Sequence, residues 1–334
     1  ESLYGIPFHG EGHEEHEEEH DEEDGHEDEH EEEEEVFGTV ENSGLEFSTG
    51  SVGVSWVGDN GFIGVSYRST DALYGVPGGH GHHEEEHEGE DHHEDEEHDE
   101  EEAGVAIDLI QTRYDLRGEF RNVSEFIDRV RFSFGTAEYK HVELEGDEIG
   151  TLFRNDGWEG RFETRFSAVE LGGGELESAA GFQAFSRDFV ADGEEAYVPA
   201  SVTEDFGAFL VQRWDTGAWG LEGGLRLETR DIETAAAARS FDTFSLSGSA
   251  FWRPQSNTFL ALTLSSNERA PTDVELFADG EHVATSTVEN GDPDLDVEKA
   301  VSIEFTARTE FGSWAFEGAA FHAEYDGFIG AFPT

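Results

Sequence analysis

The chain has 334 residues and a formal net charge of −61, from 80 acidic against 19 basic side chains. A polyanion this strong repels nucleic acid, which excludes partners bound through phosphate neutralisation and leaves cations as the natural counterpart. Cysteine is absent, which removes disulfides, thiolate nucleophiles and thiolate metal sites, so that imidazole and carboxylate remain as the good metal ligands.

The chain opens on an acidic tract, residues 1–35, in which His9, His13, His16, His20, His26 and His30 are scattered among carboxylates. A second tract, residues 78–102, repeats the design after the same Leu-Tyr-Gly-aliphatic-Pro lead-in: Leu3 to Pro7 in one case, Leu73 to Pro77 in the other. It offers His80, His82, His83, His87, His92, His93 and His98. Residues 11–35 hold 18 acids and residues 84–102 hold 14, so much of the charge is concentrated in two short segments. The residual acidity, with Lys140 and Lys299 the only lysines, is compatible with life in high salt.

Outside the tracts the apolar residues recur at every second position. Phe162, Phe166 and Ala168 alternate with Arg161, Glu163, Arg165 and Ser167; Leu221, Leu225 and Leu227 with Glu222, Arg226 and Glu228; Val301, Ile303, Phe305 and Ala307 with Ser302, Glu304, Thr306 and Arg308. A helix would scatter these residues around its axis, so the pattern predicts strands. In chain order they fall near 44–57, 61–68, 104–118, 125–139, 160–169, 176–187, 204–214, 220–228, 241–253, 258–267, 301–308 and 314–326, about twelve in all. Tight connections (58–61, 121–125, 171–175, 215–219, 253–257, 310–314) alternate with long polar ones (69–103, 140–158, 188–203, 229–240, 268–297).

This alternation sends every long connection to one end of an antiparallel meander, as in an up-and-down transmembrane β-barrel with short periplasmic turns and long extracellular loops. No run of about 18 apolar residues could span a bilayer as a helix, but a barrel hides its apolar residues at alternate positions. Period alone does not separate a barrel with a wet lumen from a soluble acidic two-sheet protein. Aromatics near the expected strand ends (Trp56, Tyr67, Tyr114, Tyr139, Trp158, Trp214, Trp219, Trp252, Trp314, Tyr325) fit the girdles of a membrane barrel.

The stretch from Asn267 to Phe305 resembles the long loop and flanking strands of TonB-dependent outer-membrane receptors, through Arg269, Pro271, Glu275, Leu276, Gly280, His282, Ala284, Thr285, Glu289, Gly291, Leu295 and Glu298. Asp108, Leu109, Gln111, Arg113, Tyr114 and Asp115, following a His-rich acidic loop, are similar to the zinc-uptake branch of that family. The resemblance covers residues 36 to 334 and implies a partial barrel of about 12 of roughly 22 strands. Receptors of that family carry an N-terminal plug and a partner-binding segment; neither is visible in this sequence, which is therefore read as a receptor fragment. The resemblance also implies a Gram-negative outer membrane, contact with its lipid, and energisation of the full-length protein by the TonB–ExbB–ExbD system.

Neutral imidazole suits zinc, copper and nickel, and neighbouring carboxylates can complete the shell. No fixed tetrahedral spacing stands out, so the tracts are expected to act as multi-ligand antennae with His282 as a further candidate ligand. His141 and His322 have no partner pattern. The plainer alternative is a pair of solvated, ion-screening loops on a passive barrel or one of different specificity. Thirteen of the 16 histidines lie in the tracts, which solubility in salt does not require, and this favours metal capture. No prosthetic group is expected; zinc or another divalent metal enters as transported ligand. No serine-histidine-aspartate order, phosphate-binding glycine loop or HExxH helix occurs, so nothing supports an enzyme.

Overall fold

The computed structural model describes residues 40, 42–80, 104–146, 148–193, 196–282 and 287–331. Twelve strands pair in chain order as one antiparallel meander: β1 (Leu45–Gly58), β2 (Gly61–His80), β3 (Gly104–Arg121), β4 (Ile127–Glu145), β5 (Glu148–Phe166), β7 (Gly174–Gly193), β8 (Ser201–Asp215), β9 (Trp219–Thr234), β10 (Ala238–Gln255), β11 (Thr258–Arg269), β14 (Glu298–Phe311) and β15 (Trp314–Asp326). A three-residue strand, β6 (Val169–Leu171), pairs with β7. The connection between β11 and β14 carries a short helix, α1 (Asp273–Phe277), and a separate hairpin of β12 (Asp279–His282) and β13 (Thr287–Asn290).

The expected twelve strands are all present, but several are longer than their alternation suggests. β4 runs to Glu145 and β5 starts at Glu148, where a loop over 140–158 was expected. β9 and β10 extend to Thr234 and Ala238 across the expected 229–240 loop, and β7 and β8 close the 188–203 connection to the seven residues after Gly193.

The reason is a change of phase. On β9, Trp219, Leu221, Leu225 and Leu227 are exposed, while Arg226, Glu228 and Arg230 on the other face are half-buried. Register continues both faces across the sheet: Trp219 lies opposite Trp252, Leu225 opposite Leu246, Leu227 opposite Phe244, and Leu262 opposite Phe305. The apolar face is thus the exposed one and the polar face the crowded one, the inverse of a water-soluble sheet. The band runs from Trp219 to Leu227 on β9 and from Phe244 to Trp252 on β10. A tilted strand needs about 9–11 residues to cross hydrocarbon, and these spans match that need.

Toward the long-connection end the two faces exchange character. On β9 and β10, Asp231 and Asp242 now take the outer face, while Ile232 and Phe241 turn inward and are fully or almost fully buried. β3 exchanges Tyr114 and Leu116 outside for Val105 and Ile107 inside, and β5 exchanges Trp158 and Phe162 outside for Phe153 inside. A period-two reading loses its thread at such an inversion, so the strands look finished too early.

The inward apolar residues have something to cover them. Ile232, Phe241, Ala270 and Leu276 form a buried cluster, flanked by Phe277, Leu295 and Val297. The β11–β14 connection therefore folds onto the polar side of the sheet at this end and makes the principal core among the described residues.

Candidate functional site

Most of the predicted metal ligands, His9, His13, His16, His20, His26, His30, His82, His83, His87, His92, His93 and His98, lie outside the described residues. The backbone of His80 ends β2 opposite Gly104, and that of His282 ends β12 opposite Thr287. Among the described residues no three His, Asp or Glu side chains converge as a metal-binding group. Both tracts join the sheet at the same end, because Leu45, where β1 starts, pairs with Tyr74, and the second tract leaves from the end of β2.

The residues of the loop motif turn out to build that end of the sheet. Thr272 caps α1 by accepting from the Glu275 N–H, while the Glu275 carboxylate accepts from the Thr272 N–H at 2.8 Å, a reciprocal capping box. Arg269 donates to Glu275 at 2.9 Å and approaches Glu298 at 3.5 Å, tying the helix to the start of β14. The buried Asp273 carboxylate accepts from Ser201 at 2.7 Å and from Arg187 at 2.5 Å, which pins α1 to β7 and β8. A Cβ on Gly291 would sit 2.7 Å from the Leu276 carbonyl carbon, and the Gly291 N–H donates to the Ala278 carbonyl at 2.7 Å. Arg269, Pro271, Glu275, Leu276, Gly291, Leu295 and Glu298 are thus fastening residues rather than ligands; Ala284 and Thr285 lie outside the described residues. Burial pushes the Glu275 carboxyl up, but its bonds to Arg269 and Thr272 outweigh this and hold it below the usual carboxylate range.

Beside this connection, where the sheet has changed phase, a polar cluster faces the interior. Tyr139, His141 and Glu143 alternate on the inner face of β4. His141 Nδ1 lies 2.9 Å from the Tyr139 hydroxyl, and its ring stacks on Phe153 at 4.5 Å. Burial lowers the His141 pKa, so the ring is neutral near pH 7, with Nε2 as the nitrogen not engaged by Tyr139. Burial also raises Tyr139, helped by Tyr74 and Glu143, and raises Tyr197, helped by Glu289 and Glu143. Glu143 itself is buried.

Sequence reasoning set His141 aside for lack of a partner pattern, and assigned Tyr139 to an aromatic girdle. The structure turns Tyr139 inward against His141, because β4 has already changed phase there. The usable signal was the alternation Tyr139, His141, Glu143 with Lys140 and Val142 between them, an inward triad on a continuing strand. His322 stays apart, exposed on β15 with Glu324 at 3.4 Å. Trp56, Tyr67, Tyr114, Trp158, Trp214, Trp219, Trp252 and Trp314 do take the apolar face, as a girdle requires.

Below the change of phase the interior face carries ion pairs. Glu119 accepts from Arg121 at 2.5 Å and Arg131 at 2.6 Å, Asp205 binds Arg230 twice at 2.7 Å, and Asp215 binds Arg253 at 2.9 and 3.0 Å. A face so charged needs water or polar protein against it, whereas the opposite face needs hydrocarbon.

The family model for the TonB dependent receptor-like β-barrel matches residues 51–334. The chain belongs to this family. Its members are outer-membrane β-barrel receptors and transporters rather than enzymes. Similar solved structures are the copper transporter OprC (16% identity, TM-score 0.62, 85% of this chain and 46% of that chain) and the Serratia marcescens hemophore receptor HasR, solved as a double mutant with its hemophore HasA and heme (13%, 0.65, 84% and 46%). The alcaligin receptor FauA of Bordetella pertussis is similar to the same degree (14%, 0.61, 86% and 45%). The chain spans less than half the length of these structures, and at such identities they share its fold alone.

Proposed function

We propose that this barrel segment gathers divalent metal ions, zinc first among them, at the extracellular face of a Gram-negative outer membrane for import by the complete receptor. The observation that carries the reading is the concentration of thirteen of the 16 histidines in two carboxylate-rich tracts. Register supports it, since both tracts enter the sheet at the end where His141 and Glu143 face inward. The histidines of residues 1–35 and 78–102 would collect ions, with His282 as a further ligand. His141 Nε2 and Glu143 would receive the ion inside the mouth, with water or tract histidines completing the shell.

Gathering ligands from a chain segment around each ion costs entropy, so capture on the tracts is weaker than at a closed site and release easier. The apolar band meets outer-membrane lipid, and the TonB–ExbB–ExbD system supplies energy to the full-length protein. Copper binds the same ligands more tightly than zinc, so selection between them rests on geometry and supply.

Titration of the folded chain with zinc at about pH 7.5 and about pH 5 tests the proposal, since protonated imidazole does not ligate. Binding is expected to fall at the lower pH and to lose most of its stoichiometry when the thirteen tract histidines are replaced by glutamine. Equal binding at both pH values, or no loss on replacement, would leave carboxylate screening as the account of the tracts.

A further inference from the structure

On the outer face of β8 a carboxamide, Gln212, breaks the apolar band two residues from Trp214. Register sets it in a row with two glycines: Gln212 lies opposite Gly223 of β9, and Gly223 opposite Gly248 of β10. The rows on either side are bulky. Toward the long-connection end Leu225 lies between Leu210 and Leu246, and toward the short-turn end Trp214 lies opposite Leu221. The lipid-facing surface is thereby cut by a trough of about 400 Å³. It runs obliquely, because Gln212 stands two residues from Trp214, whereas Gly223 and Gly248 each stand four residues from Trp219 and Trp252. From the amide toward Gly248 the trough therefore leaves the aromatic girdle and deepens into the band.

We infer that the trough seats one acyl chain of a diacyl phospholipid from the leaflet at the short-turn end, with the Gln212 carboxamide donating to the ester carbonyl at the head of that chain. Gln212 Nε2 donates to Ser178 Oγ at 3.3 Å, and the amide has no other hydrogen-bond partner among the described residues. A carboxamide facing hydrocarbon costs free energy until its polar atoms are used. Two residues of a tilted strand put it about 5 Å inside the girdle, the depth of the glycerol esters of a phospholipid. A protein helix fits less well. The walls stand four residues apart, about 13 Å between backbones, and their side chains leave the width of an alkyl chain rather than of a helix about 10–12 Å across. The seat rests on the apolar band meeting lipid and is independent of metal capture on the tracts.

The test reconstitutes the full chain with palmitoyl-oleoyl phosphatidylethanolamine, extracts it into detergent and counts retained lipid by native mass spectrometry, in parallel with the dialkyl ether analogue that lacks ester carbonyls. The parent is expected to keep one diacyl molecule per chain and to hold the ether at least about 3-fold more weakly. Gln212→Leu should erase that preference. Gly248→Leu, where an added Cβ meets nothing within 4 Å, should fill the trough and release the lipid. Gly318→Leu, on the outer face of β15 and equally unobstructed, is the control and should keep it. Unchanged strand content by circular dichroism shows that each variant has folded. Quenching of tryptophan fluorescence by brominated lipid checks the band separately: no quenching overturns the band reading and the seat together, whereas quenching without any retained lipid overturns the seat alone. The inference also fails if Gly248→Leu retains the lipid or if the preference for ester survives Gln212→Leu. A pair of chains in micelles that Gly248→Leu separates would overturn it by giving the trough to a second copy.

Discussion

Leu227 and Ile232 lie five residues apart on β9, yet Leu227 is 55% exposed on the outer face and Ile232 is 0% exposed on the inner one. The same contrast separates Phe244 from Phe241 on β10 and Trp158 from Phe153 on β5. Up to the change of phase the sheet puts apolar groups outside and arginine–carboxylate pairs inside; beyond it, carboxylates face out and a capped helix covers an apolar inside. One continuous hydrogen-bonded sheet therefore serves two solvents. Backbone pairing is indifferent to which face is apolar, so the surroundings choose: hydrocarbon on one stretch, water and a folded connection on the next.

The sharpest way to break this comparison is to remove the cover. Leu276→Ala, at 1% exposure, should cost about 2–5 kcal/mol, read as a lower urea midpoint in micelles, with the loss confined by hydrogen exchange to the long-connection end. On the other side of the boundary, Leu225→Arg should cost about 2–4 kcal/mol by placing charge against hydrocarbon, whereas Ser247→Arg on the inner face should stay within about 0.5 kcal/mol. Equal costs for these two would mean that the exposed band does not meet lipid. Removing the cap by Thr272→Ala should cost about 1 kcal/mol, seen as faster amide exchange at Asp279 and Gly291 with the band unaffected.

Acid should separate the two regions more gently. His141 has a folded pKa below its unfolded value, so its neutral burial adds stability that declines as pH falls below about 6.5. Glu275 is likewise lowered, so its contribution is present above about pH 4.3 and is lost as pH falls further. Hydrogen exchange between about pH 7 and pH 4 should therefore loosen the covered end in two steps. His141→Phe should remove the first step and leave the second.

Much of this was legible without coordinates. The alternation at Leu221, Leu225 and Leu227 and the short and long spacing of turns are local consequences of a two-residue repeat, and they were enough for a twelve-strand antiparallel meander. The clustering of histidine in the tracts is a matter of composition and needed no geometry. What escaped was the inversion: Asp231, Ile232 and Glu233 continue a strand whose apolar side has changed, and a rule that follows one face reads them as a loop. For the same reason Tyr139 and His141 passed as unrelated residues.

The residues by themselves determined that this chain forms strands, in what order, and that its chemistry favours cations, because side-chain periodicity and charge are properties of the chain. Tertiary structure decided which face of each strand meets which solvent. It also decided that Arg187 and Ser201 hold Asp273, and that Arg129 Nε is buried without a hydrogen-bond partner among the described residues. Those pairings join residues up to 86 positions apart in number, between Arg187 and Asp273, and arise only when the strands are laid side by side and the long connection folds over them.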